Sequence, residues 1–378
     1  ADIFYAHDDR FYIADTGNNR IIAVDGGFEK AVRIYDSFRM PDGTEIYLKN
    51  PSGIYVSAET GLMYIADTEN SRILISDMSG NFISEITKPD DVLYDEKRTF
   101  MPQRVIADKA GNIYAVLGNI TTGAVMFDSS GNFSGFYGAN RVQPTAEIIR
   151  NYFSSVFMSD DKRSRRVRNI PAGITGIDID GDFIFTCTAS ASQKTDIVKK
   201  LNSAGINIFA DMDITIGDYA PVYDTSQNNI PATSITDIDI DEDGNINCLD
   251  SASGKIFQYD EDCNLLFIFG TNAEQTGGFR QASAIESHSG RIYVTDSQKD
   301  TITIFRETEF GGIVHEASAL HNGGFYEEAL EPWLEVLKRD GNYRRAYLGV
   351  ASAKLRAGEY RESMKYAELA DSNRIYNR

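Results

Sequence analysis

One phrase occurs twice in this chain: YIADTGNNRI from Tyr12 to Ile21, and YIADTENSRI from Tyr64 to Ile73. Looser copies follow at intervals of about fifty residues, and a fixed period of that size is the signature of a repeat architecture. Each copy is then one supersecondary unit that cannot bury its apolar face alone and must stack on its neighbours.

Aligned on the phrase, the chain shows an apolar strand, an Asp-x-x-Gly turn, a second strand ending in Asp, a short loop, a third strand opening Arg-Ile, another turn and a fourth strand. The copies fall at about 2–36, 51–87, 101–138, 173–210, 234–270 and 282–311. Gly80-Asn81, Gly111-Asn112, Gly131-Asn132 and Gly244-Asn245 lie between alternating apolar stretches, and Gly and Asn tolerate the positive φ of tight hairpins. Ile54, Val56, Tyr64, Ile73 and Ile75 follow the period-two pattern of strands. Four short antiparallel strands repeated six times predict a mainly β fold, a six-bladed β-propeller. Asp15 with Arg20, and Asp67 with Arg72, flank the short loop and are expected to pair across it as blade-building contacts.

After Phe310 the composition turns to Ala, Leu, Glu, Lys and Arg. Gly324-Phe325-Tyr326 with Ala329 recurs 34 residues later as Gly358-Glu359-Tyr360 with Ser363, and Ala317 recurs as Ala351. That period belongs to a helix–turn–helix repeat. Gly324 and Gly358 are placed where the first helix of each pair stops, and Trp333, Leu337, Tyr347 and Tyr366 are expected in the core. The division predicted is a propeller over 1–311 and an all-α unit of about two repeats over 312–378. Two repeats are fewer than usually stand alone, so the unit is expected to dock on the propeller or to continue into further sequence. The chain opens at Ala1 in strand-like sequence and stops at Arg378 in helix-like sequence, which reads as a trimmed form.

The Tyr-Ile-Ala-Asp-Thr-x-Asn-x-Arg-Ile phrase resembles the NHL repeat, whose propellers are commonly six-bladed. The helical tail resembles the tetratricopeptide repeat. Both resemblances imply interaction modules: a non-catalytic binding or scaffold protein. Its propeller loop face would take a protein, peptide or glycan, and its helical repeats a second protein. Bacterial proteins of this pairing are often extracytoplasmic, so the resemblance also implies an extracytoplasmic or cell-surface setting.

Some six-bladed propellers are metal-dependent lactonases that resemble the gluconolactonase family. That alternative implies a divalent cation at the channel mouth, held by a Glu, two Asn and an Asp. This chain lacks the Glu-Gly-Pro-x-Trp opening of that family, and its one Trp, Trp333, lies in the helical tail.

Net charge is −19, a field that repels nucleic acid and anionic lipid. No apolar run reaches the roughly 18 residues of a membrane span, and no signal peptide is visible. Cys187, Cys248 and Cys263 are odd in number and form no C-x-x-C pair, which supports neither a disulfide framework nor a cysteine zinc site.

DIDEDGNINCLD, Asp239 to Asp250, matches a calcium-loop pattern with Gly244 at the sixth place. Its flanks read as strands, so the expectation is an acidic hairpin, with calcium as the alternative. Asp178 and Asp180 align with Asp239 and Asp241. If the first strands line a central channel, these four are the candidate metal ligands. His7, His288, His315 and His321 are scattered and form no catalytic spacing. The connections 37–50, 88–100, 139–172, 211–233 and 271–281 join outer to inner strands and are where a partner is expected. The longest carries KRSRRVR (162–168) in an otherwise acidic protein. Arg163, Arg165, Arg166 and Arg168, with Tyr152 and Phe153, are the candidate partner contacts.

Overall fold

The computed structural model describes residues 1–94, 96–118, 120–139, 173–189, 196–212, 214–217 and 233–370. Six antiparallel sheets form six blades around a central channel. Blade 1 is β1 (Asp2–Ala6), β2 (Arg10–Asp15), β3 (Arg20–Asp25) and β4 (Ala31–Tyr35). The connection after it carries a hairpin, β5 (Ser37–Arg39) and β6 (Glu45–Tyr47). Blade 2 is β7 (Pro51–Val56), β8 (Leu62–Asp67), β9 (Arg72–Asp77) and β10 (Phe82–Ile86). Blade 3 is β11 (Pro102–Ala107), β12 (Ile113–Leu117), β13 (Ala124–Phe127) and β14 (Phe133–Tyr137). Blade 4 is β15 (Gly176–Asp180), β16 (Phe183–Cys187) and β17 (Val198–Leu201). Blade 5 is β18 (Ile235–Ile240), β19 (Ile246–Asp250), β20 (Lys255–Tyr259) and β21 (Leu265–Phe269). Blade 6 is β22 (Ala282–His288), β23 (Arg291–Asp296) and β24 (Thr301–Arg306). Four blades therefore have four strands. Blades 4 and 6 have three among the described residues, and a bridge between Leu201 and Asn207 stands in the fourth position of blade 4.

The turns close as their chemistry dictates. Asp77 accepts the amides of Ser79 (2.9 Å) and Asn81 (2.8 Å), while Gly80 supplies φ +77°. Asp108 with Gly111, Asp128 with Gly131 and Asp241 with Gly244 repeat the arrangement. An Asx side chain that mimics the turn, followed by a residue free to adopt positive φ, is the cheapest way to reverse a strand.

The repeated phrase now has a part-by-part account. Arg20 Nε donates to Asp15 at 2.7 Å and Arg72 Nε to Asp67 at 2.8 Å. Asn18 and Asn70 donate to the same two carboxylates. The threonines look outward: Thr16 Oγ1 donates to the Pro51 carbonyl, and Thr68 Oγ1 to that of Pro102, both at 2.7 Å. Each copy thus ties itself to the first residue of the next blade's inner strand. In blade 5, Ser251 makes the same bond to Ala282, also at 2.7 Å. Between blades lie interdigitated apolar layers, such as Tyr12, Ile21, Ile54, Met63 and Ile65 between blades 1 and 2.

The helical unit begins slightly earlier than the expected boundary at 311/312, because β24 ends at Arg306 and the Thr308 side chain caps a helix by accepting the Gly311 amide at 3.1 Å. It comprises α1 (Glu309–Asn322), α2 (Leu330–Arg339), α3 (Arg344–Arg356) and α4 (Tyr360–Leu369). Gly324 (φ +82°) and Gly358 (φ +76°) follow α1 and α3 as their spacing predicts. Trp333 is fully buried among α1, α2 and α3, and the unit docks on blade 5 through Leu266, which belongs to the same apolar cluster. Tyr343 Oη donates to the Leu266 carbonyl at 2.8 Å, and Arg345 pairs with buried Asp260 at 3.1 Å.

Candidate functional site

The inner strand of every blade is a sheet edge facing the channel, so some of its amides have no partner in their own sheet. The chain satisfies them with carboxylates from the preceding blade. Asp2 accepts the Ile54 amide at 3.0 Å, Asp178 the Ile240 amide at 2.8 Å and Asp237 the Ile285 amide at 3.0 Å. Asp239 accepts the Ser287 amide at 3.1 Å. Glu286 accepts the Tyr5 amide at 2.7 Å and so joins the last blade to the first. The acidic inner strands are blade clasps.

The two ends of the channel differ. Where the inter-blade connections enter the inner strands, Arg104 of blade 3 crosses the axis. Its guanidinium donates to the carbonyls of Ser52 (2.8 Å) and Ser283 (3.3 Å), with Nε 3.5 Å from both Asp2 and Asp237. Burial lifts the Asp237 carboxyl to about 6, even though Arg104 pulls the other way.

At the opposite end, where the inner strands turn back, the channel opens into a mouth of about 390 Å³ lined by Phe4, Tyr55, Asp178, Asp239 and Glu286 among others. Burial raises Asp239 to about 7, against bonds from Ser287 and Asn247 that favour its charged form. Burial, then the Asp239 charge, holds Asp178 well above the usual carboxylate range. Burial, then Asp239 and Asp178, does the same to Glu286.

All four candidate metal ligands, Asp178, Asp180, Asp239 and Asp241, line this mouth. Asp180 ends β15 and is exposed, and Asp241 holds the turn after β18. No three His, Cys, Asp or Glu side chains converge to hold a metal ion among the described residues. The clasping bonds occupy both oxygens of Asp178 and both of Asp239. Asp239 to Asp250 forms the hairpin of β18 and β19, with strands on both flanks. Arg163, Arg165, Arg166, Arg168, Tyr152 and Phe153 lie outside the described residues. The three cysteines are buried and unpaired.

A second cavity, of about 360 Å³, lies between blades 5 and 6 beside the start of α1. Phe267, Phe269, Ile292 and Phe305 supply apolar wall, and Glu242, Glu307, His288 and His315 add polar groups. Phe269 and Phe305 pack edge to face on its wall, with ring centroids 5.1 Å apart.

A polar path runs from this cavity through blade 5 to the channel. Asn247 Nδ2 donates to Asp239 at 2.9 Å, Gln258 Nε2 donates to Asn247 Oδ1 at 3.0 Å, and His315 Nε2 lies 2.8 Å from Gln258 Oε1. Each amide's nitrogen is used toward the channel, so His315 Nε2 must be the donor. Its Nδ1 then meets Glu307. Every dipole in the path points toward Asp239, which favours negative charge there.

On the ridge between mouth and cavity stand Ser289, His288 and Glu242. His288 Nδ1 lies 2.8 Å from Glu242 Oε1, and Nε2 lies 3.0 Å from Ser289 Oγ. The imidazole stacks on Tyr5 with ring centroids 3.5 Å apart and planes at 15°. Sequence spacing did not indicate this group or the polar path. Glu242 is 46 residues from His288, and Gln258 is 57 from His315. Only the packing of blade 6 on blade 5 and the docking of α1 make them neighbours.

No family model matches the chain, and no curated protein matches it. Solved structures with a similar fold include virginiamycin B lyase from Staphylococcus aureus. It is 11% identical with a TM-score of 0.44, over 81% of this chain and 84% of that one. The β-propeller domain of Myceliophteria thermophila Cps50 (Swd1) is 10% identical with a TM-score of 0.48, over 82% and 97%. Kuenenia stuttgartiensis hydrazine synthase is 12% identical with a TM-score of 0.45, over 81% and 95%. These likenesses concern fold alone. The chain is a six-bladed β-propeller carrying, among the described residues, four C-terminal helices, and no described helix is long and apolar enough to cross a membrane.

Proposed function

We propose that this protein is a binding scaffold, an NHL-type propeller with a tetratricopeptide-like unit, whose ligand occupies the cavity between blades 5 and 6. One observation carries the reading. A space of about 360 Å³, with apolar walls and charged residues around them, lies where the propeller meets its helical unit. Ligand sites are concave, largely apolar and placed preferentially at junctions between units. The carboxylates of the channel, by contrast, are spent on holding blades together. Four aromatic or branched side chains, flanked by the acids Glu242, Asp243 and Glu307 and by Arg291 and Arg306, suit an apolar group bearing a charged end, as on a peptide side chain. An extracytoplasmic setting belongs to the same reading, through the family resemblance.

The test uses 4-phenylbutylamine as probe, followed by saturation-transfer NMR. Ile268→Trp fills the cavity from a strand position that is 44% exposed, so the fold tolerates it. Saturation transfer in the parent protein that disappears in Ile268→Trp is the expected result. Absence of transfer in the parent, or transfer that survives the filling, overturns the reading.

A further inference from the structure

We infer that Ser289, His288 and Glu242 form a nucleophilic centre that cleaves carboxylic esters whose acyl group is apolar. The acyl placement rests on the cavity reading above, whereas the chemistry of the three side chains does not. Nucleophilic catalysis requires a hydroxyl within hydrogen-bond reach of a base, and a third group that orients the base. All three relations are present: Ser289 Oγ to His288 Nε2 at 3.0 Å, His288 Nδ1 to Glu242 Oε1 at 2.8 Å, and an imidazole held flat against Tyr5. The Glu242 carboxylate accepts from Nδ1–H, which selects that tautomer and leaves the Nε2 lone pair facing the serine hydroxyl. Glu242 also accepts the Ser289 amide at 3.3 Å, so acid and nucleophile are tied across two blades.

The local backbone explains why the serine stands clear. Ser289 (φ +50°) and Gly290 (φ +67°) are the two turn residues between His288 and Arg291, which pair in the β22–β23 register. Two consecutive positive φ values are the type I′ hairpin that matches strand twist, and they present Ser289 at its tip on the cavity border. Arg291 and Arg306, directly opposite in the β23–β24 register, border the same cavity. Neither joins an ion pair among the described residues. Like charges facing each other are unfavourable in a sheet, so this pair keeps positive charge on the cavity border beside Ser289.

The reaction balances with water as the only co-reactant. Ser289 Oγ attacks the ester carbonyl carbon while His288 Nε2 takes the hydroxyl proton, and the carbonyl π pair becomes the oxyanion. Collapse of the adduct breaks the bond to the alkoxy oxygen, which leaves as the alcohol with the proton from His288. Water then attacks the acyl-serine, gives its proton to Nε2, and releases the carboxylic acid and the free serine hydroxyl. Glu242 balances the imidazolium in both halves. The cavity, about 360 Å³, falls within the range of ordinary small-molecule pockets of about 300–1,000 Å³, room enough for a short acyl chain.

The experiment combines two readouts on the full chain. Diisopropyl fluorophosphate is incubated with the protein, and modified peptides are located by mass spectrometry. Hydrolysis of p-nitrophenyl butyrate is followed for the parent, Ser289→Ala, His288→Asn and Glu242→Gln. Expected are a diisopropylphosphoryl adduct on Ser289 with loss of fluoride, and ester turnover reduced at least 100-fold in Ser289→Ala with an unchanged melting temperature. Glu242→Gln should lose less than His288→Asn. No adduct at Ser289, or equal turnover in parent and Ser289→Ala, overturns the inference. If labelling persists but Ile268→Trp leaves butyrate turnover unchanged, the nucleophile stands and the cavity is not its acyl site.

Discussion

Arg104 Nε lies 3.5 Å from Asp237 Oδ1, across the channel from its own blade. The same nitrogen is 3.5 Å from Asp2 of blade 1, and the guanidinium reaches carbonyls of blades 2 and 6. One side chain therefore holds five of the six blades at the axis. Desolvating a cation is costly, so its stabilising effect depends on having both carboxylates and both carbonyls in place. Arg104→Ala leaves two buried acids without their counter-charge and should cost about 3–5 kcal/mol. Arg104→Met with Asp237→Asn should recover part of that loss. Urea denaturation of the single and double variants measures the coupling.

The same phrase should carry different weight in its two copies. Asp67 is fully buried and accepts from the Lys49 amide, Asn70 and Arg72 at 2.7–2.8 Å. The Asp15 side chain is 22% exposed, with Arg20 35% exposed. Asp67→Ala leaves three part-buried donors without their acceptor and should cost about 1–3 kcal/mol, against less than about 1 kcal/mol for Asp15→Ala. Thermal melts of the two variants side by side decide it.

Stability should rise on mild acidification from alkaline pH. Asp239 binds its proton at about 7 in the folded protein and at about 4 when unfolded. Between those values the folded state holds the extra proton, so stability falls as pH rises from 4 through 7. His321 acts in the opposite sense. Burial, then the Arg345 charge, lowers it to about 4, so its contribution is present above about 6.5 and lost as pH falls toward 4. The unfolding free energy from urea denaturation should be higher at pH 6 than at pH 8 by roughly 0.5 kcal/mol, the Asp239 gain less the His321 loss, and Asp239→Asn should reverse that difference.

The path through blade 5 offers a separate check. Gln258→Leu keeps the volume but leaves a donor at His315 and an acceptor at Asn247 without partners. The cost should be about 1–3 kcal/mol. Trp333, the only tryptophan, sits in the helical unit, so its emission reports whether that unit loosens before the propeller, which far-UV circular dichroism follows.

In the helical unit, a methyl added at Gly349 would stand 2.2 Å from Trp333 Nε1. α3 can approach α2 this closely only because position 349 has no side chain. Gly349→Ala should cost about 1–3 kcal/mol through overpacking, despite its better helix propensity, with a red shift in tryptophan emission. An unchanged melting temperature would show that the two helices separate freely.

What the sequence determined by itself was everything local and periodic. Tyr-Ile-Ala-Asp-Thr-x-Asn-x-Arg, the Asp-x-x-Gly turns and the Gly324/Gly358 spacing act over a few residues, so blade edges, hairpins, helix ends and the Asp–Arg pairs were legible. Tertiary structure decided what those residues face. Asp178 and Asp239 stood out as acids in register, yet only the packing of consecutive blades shows their oxygens taken by the amides of Ile240 and Ser287. Arg104 lies in an ordinary strand and becomes the axial hub because the inner strands of four other blades come within its reach. Glu242 meets His288, and Gln258 meets His315, only after neighbouring blades and α1 have packed. Repeats specify their own folds through short-range geometry, whereas a site built between repeats depends on the sum of small rotations from blade to blade, which no single segment encodes.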